Sequence, residues 1–190
     1  MRAMSLAEVQ VPLQAALVGV DVTFSEVSTD SRAIRSGELF VALSGEKFDA
    51  HDYLPQVASA GAAGAIVSEV ADLPIPQLHV SDTGRALGQL AAFNRQQFVA
   101  PLIAITGSSG KTTVKNMLHA VLSQRGKTLA TEGNFNNEIG VPLTLLRLTP
   151  EYEFAVIEMG AAKKGDIAWL CEIGQPSVAL LLNAMPAHLE

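Results

Sequence analysis

What this 190-residue chain lacks narrows its class first. It has one cysteine, Cys171, so an internal disulfide framework is excluded and a reducing compartment suits it. Cys171 falls at helical spacing with Ile167 and Leu170, which points to apolar packing rather than reactivity. No run is apolar for the length of a membrane span, so no membrane insertion is expected. Arg2 stands near the start, but Glu8, Gln10, Pro12 and Gln14 interrupt what a signal-peptide core needs. A basic excess is also missing: the net charge is -6 and the pI is near 5.2. Such a surface argues against nucleic acid and anionic lipid as partners, so an anionic ligand must be held by a local device. Repeats and low-complexity tracts are absent. These absences read as a cytoplasmic chain.

Apolar material is plentiful. Hydrophobic residues make up 48% and charged residues 17%, enough for a sizeable core. The first half has short apolar runs split by turns. ELFVAL at 38–43, residues 65–67 and residues 78–80 read as strands, and 51–61 as a helix ended by Gly61. Asp82 or Thr83 caps a helix predicted to reach about Phe98, and Pro101 starts a new unit. Beyond it strand and helix alternate. Residues 102–105 read as a buried strand, 154–157 and 178–182 as further apolar strands, and 166–173 as a helix. Val114, Met117, Leu118, Val121 and Leu122 form the apolar stripe of another helix, ended by Gly126. The expected class is α/β: a small N-terminal α/β domain, 1–82, then a partial parallel-sheet domain with a phosphate loop, 83–190, covered on both faces. Residues 183–190 stop without a turn or capping signal, so the sequence is expected to continue in a longer protein.

The most specific signal is ITGSSGKTT at 105–113, between a strand and a helix. Gly107 and Gly110 let backbone N–H groups turn toward phosphate oxygens, with Ser108 and Ser109 between them, and the helix N-terminus adds positive potential. Lys111 is placed to reach the outer phosphates of ATP, Thr112 to offer its hydroxyl to Mg²⁺, and Thr113 opens the helix. Ile105 stands where the usual pattern has a first glycine. A plain glycine-rich turn with a solvated lysine is the weaker alternative. Glu158 ends the apolar strand FAVIE, where a carboxylate lies beside such a loop and can take Mg²⁺. His188 follows VALLLN and is a candidate second ligand, although a lone histidine is more often structural. His51, His79 and His119 read as structural or exposed. Asn134, Asn136 and Asn137 fit either a loop or a set of donors. Lys163 and Lys164 read as a solvated pair before a helix. Thr29, Asp30, Ser31 and Arg32 are dense in hydrogen-bonding groups, which a turn explains equally well.

Taken in order, TDSR at 29–32, GELFVALSGEKFDAHDY at 37–53, ITGSSGKTTVKNML at 105–118, GNFNNEIGVPLTLL at 133–146, EMGAAKKGDIAWL at 158–170 and AHLE at 187–190 resemble the Mur ligase family. That family's loop also lacks the first glycine. The resemblance implies a three-domain, ATP-dependent ligase of peptidoglycan precursor synthesis, with its third domain beyond residue 190. The member it is most similar to joins D-Ala-D-Ala to UDP-N-acetylmuramoyl-tripeptide through an acyl phosphate. It implies that Thr29, Ser31, Arg32, Glu46 and Lys47 lie near the UDP-sugar substrate. It further implies that residues 107–113, Asn136 and Asn137 serve ATP, with Lys111 catalytic, and that Thr112, Glu158 and His188 hold Mg²⁺. A related amide ligase, such as a folylpolyglutamate synthase, and a non-catalytic ATP-binding regulatory module are the alternatives.

Overall fold

The computed structural model describes residues 1–45 and 48–185. Packing divides the chain into two units, Met1–Phe93 and Asn94–Glu190. The first contains β1 (Met4–Ser5), α1 (Leu6–Gln10), β2 (Ala16–Val18), β3 (Thr23–Phe24), β4 (Val27–Ser28) and β5 (Leu39–Val41). It continues through β6 (Ser44–Gly45), β7 (Phe48–Asp49), a 3-10 turn (Ala50–Tyr53), α2 (Leu54–Ser59), β8 (Gly64–Val67) and β9 (Gln77–His79). Helix α3 (Thr83–Arg95) follows and contributes Asn94 and Arg95 to the second unit.

Five strands of the first unit form one sheet in the order β2-β9-β8-β5-β4. The last four are parallel to their neighbours and β2 runs antiparallel on the edge. Every residue of β5 and β8 is buried, which is why both read as unbroken apolar runs rather than alternating ones. Phe40, Ala42, Leu54, Val57, Ala65 and Val67 share one core cluster. A fully buried side chain of the larger kind contributes about 1.5–3 kcal/mol. The helix expected over 51–61 is instead a 3-10 turn followed by α2. Pro55 lies in the first turn of α2, where its missing N–H costs nothing, so the regular helix begins only there. Asp82 does cap α3, its carboxylate accepting from Arg85 N–H at 2.9 Å. The helix ends at Arg95 rather than near Phe98, because Gln97 and Phe98 N–H turn back to Asn94 and Arg95 carbonyls and tighten the last turn.

The second unit holds β10 (Leu102–Thr106), α4 (Lys111–Leu122), β11 (Thr128–Ala130), α5 (Gly140–Leu146), β12 (Phe154–Glu158), α6 (Asp166–Gly174) and β13 (Val178–Leu181). Its sheet is wholly parallel in the order β11-β12-β10-β13. Val114, Leu118 and Leu122 of α4 pack on Ile103, Ile105 and Val156. The expected five-residue stripe is therefore narrower: Met117 and Val121 are 63% and 64% exposed, because the sheet meets only the i, i+4, i+8 row. Among the described residues β13, expected as an apolar strand, pairs with β10, with Val178 and Leu181 47% and 70% exposed. Asn94 Nδ2 donates to the Leu145 and Leu148 carbonyls, and Arg95 to those of Gly174 and Gln175. Those bonds add donors at carbonyls near the ends of α5 and α6, where the intrahelical ladder runs out. Among the described residues no helix is long and apolar enough to cross a membrane.

Candidate functional site

β10 hands the chain directly to residues 107–110, and these to α4, at the carboxyl edge of the parallel sheet. The glycines there are forced. Gly107 has φ 144°, and a Cβ on it would stand 3.2 Å from Asn183 N and O. Gly110 has φ 81° and precedes α4, which no side chain caps. The first N–H groups of α4 therefore remain for a ligand, at the positive end of the helix. Lys111 Nζ donates to the Gly107 carbonyl at 2.7 Å, so the ammonium lies over the loop. Thr113 is exposed on the first turn of α4.

Parallel register places Glu158 opposite Ile105, and hence beside this loop. Its carboxylate is 2% exposed. The Thr112 hydroxyl donates to Oε2 at 3.0 Å and Asn136 Nδ2 donates to Oε1 at 2.9 Å. The Glu158 N–H donates to Thr131 Oγ1 at 2.9 Å, and Lys115 Nζ, itself buried, donates to the Thr131 carbonyl at 2.8 Å. Both carboxylate oxygens are thus held by neutral donors. A buried carboxylate and a hydroxyl are hard oxygen ligands, and their pairing fits a divalent cation of the Mg²⁺ type. Among the described residues there is no group of three His, Cys, Asp or Glu side chains that could hold a metal.

A cavity of about 870 Å³ opens over the loop. Gly107, Ser108, Lys111, Asn136 and Asn137 line it, and so do Lys163 and Lys164. The two lysines, expected to be merely solvated, stand on its wall because Asp166 accepts from Ala162 and Lys163 N–H and fixes that turn. Those two backbone bonds, led by the one from Lys163, hold the Asp166 carboxyl below the ordinary carboxylate range. Asn137 uses its side-chain oxygen to accept from Gly140 N–H at 2.8 Å, starting α5. Ser108 and Ser109 donate their N–H groups to Asn183. No sequence signal marked Asn183, Lys115 or Thr131, since each acts through a partner distant in the chain.

In the first unit, residues 29–32 form one turn after β4. Asp30 accepts from Arg32 N–H at 3.0 Å and from its guanidinium at 2.9 and 2.8 Å. The Arg32 side chain, first, and its backbone N–H, second, hold the Asp30 carboxyl down at about 2. Arg32 is exposed, Thr29 is half-buried, and Ser31 is buried with its carbonyl accepting from Gln56 Nε2. Phe48 and Tyr53 stack nearby in sequence, 5.5 Å between ring centres, and both are exposed. His51 is structural: Nε2 accepts from Ser68 N–H at 2.9 Å, so Nδ1 carries the proton toward Asp49. Glu46, Lys47 and His188 lie outside the described residues.

A parallel sheet with a phosphate loop, a strand-end carboxylate tied to the loop threonine, and a separate α/β unit before it define a class that comparison also finds. The family model described as "Mur ligase family, catalytic domain" matches residues 23–95, and that described as "Mur ligase middle domain" matches residues 105–190. The chain belongs to the Mur ligase family. It is 52% identical, over all its 190 residues, to the UDP-N-acetylmuramoyl-tripeptide–D-alanyl-D-alanine ligase of Escherichia coli strain K12, of which it covers 42%. A crystal structure of MurF from Acinetobacter baumannii superposes with a TM-score of 0.94 and 44% identity, over 99% of this chain and 42% of that one. The MurF ligase of Thermotoga maritima, solved in complex with ADP, gives a TM-score of 0.81 and 37% identity over 87% of this chain and 39% of that one. The chain thus spans less than half the length of the relatives it matches.

Proposed function

We propose that this chain is the amino-terminal part of a cytoplasmic ligase that joins D-Ala-D-Ala to UDP-N-acetylmuramoyl-tripeptide at the expense of ATP. The observation that carries the reading is the Thr112–Glu158–Asn136 hydrogen-bonded group at the mouth of the phosphate loop. The activity for which the relatives are named supplies the substrates, and the ADP bound to one of them supports nucleotide binding at residues 107–113. Residues 1–82 form the substrate domain, with Thr29, Ser31, Arg32, Glu46 and Lys47 toward the UDP-sugar. Residues 83–190 form the ATP-binding domain, completed by a third domain elsewhere in the longer protein.

The peptide carboxylate is a poor electrophile. Transfer of the terminal phosphoryl group from ATP converts it to an acyl phosphate and releases ADP. The amine of D-Ala-D-Ala attacks the acyl carbon, the C–O bond to phosphate breaks, and the amine loses a proton. Lys111 stabilises the charge on the transferring group, the N–H groups that open α4 orient the phosphates, and Asn136 holds the Glu158 carboxylate in place. Mg²⁺, when bound by Thr112 and Glu158, with His188 as a further ligand, neutralises phosphate charge. The test uses the full-length protein with ATP, Mg²⁺ and the UDP-tripeptide. Hydroxylamine in place of the acceptor is expected to trap a hydroxamate on the tripeptide, and phosphate release is expected to depend on D-Ala-D-Ala. Phosphate release indifferent to both substrates would overturn the reading.

A further inference from the structure

The segment that leaves β13 is bonded to the phosphate loop residue by residue. Leu182 N–H donates to the Thr106 carbonyl at 3.0 Å, continuing the β10–β13 ladder past the last paired strand residue. Asn183 comes next. Its main-chain carbonyl accepts from Ser108 N–H at 3.3 Å. Its side-chain Oδ1 accepts from Ser109 N–H at 3.0 Å, and Nδ2 donates to the Ser109 carbonyl at 3.1 Å and to Ser109 Oγ at 3.3 Å. The carboxamide therefore meets Ser109 as a neighbouring strand would, with one donor and one acceptor facing their complements. Met185 finishes the contact, its N–H donating to Ser108 Oγ at 2.9 Å and its carbonyl accepting from the same hydroxyl at 3.0 Å. Gly107 packs closely on this segment, where a Cβ would stand 3.2 Å from Asn183 N and O.

We propose that Asn183 is the positioning residue of the phosphate loop, holding residues 107–110 in their open arc before nucleotide arrives. The inference rests on the reading of that loop as the ATP site. It has a consequence for the loop itself. The Ser108 and Ser109 N–H groups are engaged by Asn183, whereas the N–H groups that open α4, which has no side-chain cap, face the phosphate position. A loop already fixed pays no ordering cost when the nucleotide binds, so the effect of Asn183 falls on affinity. Asn183 touches neither Lys111 nor Glu158 in the hydrogen bonds that build the catalytic group, so the chemical step itself is spared.

The experiment measures ATP binding by calorimetry, and steady-state kinetics, in the full-length protein and its Asn183→Ala and Asn183→Leu variants. Loss of the paired carboxamide bonds is expected to weaken ATP about tenfold, from the usual worth of two hydrogen bonds less what water restores. The KM for ATP should rise in step, while kcat and the KM for the UDP-tripeptide stay within about twofold. Hydrogen exchange in the nucleotide-free protein should show the Ser109 amide protected in the parent and exchanging freely in Asn183→Leu, a readout available even if Asn183→Ala folds poorly. Equal ATP affinity in parent and folded variants, or a fall in kcat and melting temperature with ATP affinity unchanged, would overturn the proposal. Failure of the parent itself to bind ATP would instead overturn the reading of the loop.

Discussion

The two units organise their polar residues in opposite ways. In the second, one sheet edge gathers the loop, Thr112, Asn136 and Glu158, and each side chain is fixed by another: the carboxylate is 2% exposed and bonded on both oxygens. In the first, Thr29, Ser31 and Arg32 share one turn, and among the described residues Arg32 bonds to Asp30 while its guanidinium remains in water. The sheets themselves are alike: β5 and β8 are wholly buried in the first unit and β10 and β12 nearly so in the second, with β2 and β13 more exposed. The lesson is that a buried polar group demands a closed set of partners, whereas an exposed turn needs few.

This contrast can be broken at four places, in falling order of effect. Phe40→Ala removes one of the largest fully buried side chains of the first unit and should cost about 3–5 kcal/mol of its stability. Hydrogen exchange should show β5 and β8 losing protection while β10 and β12 keep theirs; equal loss in both would show that the units do not unfold separately. Lys111→Ala in the full-length protein should lower turnover by about 10²- to 10³-fold with an unchanged melting temperature, since among the described residues the ammonium bonds to the Gly107 carbonyl, on the loop itself. Near-normal phosphate release from the folded variant would remove Lys111 from catalysis. Glu158→Gln keeps the shape and removes the charge, and should raise the Mg²⁺ concentration for half-maximal rate about tenfold or more. An unaltered Mg²⁺ dependence would take Glu158 out of the metal site.

The smallest effect concerns Asp30. Its folded value of about 2 lies below the ordinary carboxylate value, so whatever stability the Asp30–Arg32 contact adds is complete above the ordinary value. That stability disappears as the pH falls through about 2. A carbon-detected NMR titration should find the Asp30 midpoint near 2, moving up toward the ordinary value in Arg32→Ala. An unshifted midpoint in that variant would mean that the backbone bonds alone hold the carboxyl down.

The phosphate loop was legible because its chemistry is local: glycines, lysine and threonine act within one strand-to-helix turn, and spacing alone fixes them. The central strands β5, β8, β10 and β12 were legible for a related reason, since burial on both faces writes an unbroken apolar run. The first four strands and β11 were not, because they are two or three residues long and draw their order from pairing rather than pattern. The expectation that residues of the first unit meet the substrate rests on resemblance, since a dense polar turn has the same composition with or without a ligand.

Sequence by itself determined the alternation of strand and helix, the loop at 107–113, and the two glycines that its backbone angles require. Tertiary structure decided which face of α4 is buried, that β13 pairs beside β10, and that Asn183 closes on Ser109 from 74 residues away. The physical reason is the range of the information. Periodicity and turn chemistry act over a few residues, whereas a parallel sheet brings together the ends of strands that are far apart in the chain. Only the register of β10 with β12 and β13 sets which side chains meet there.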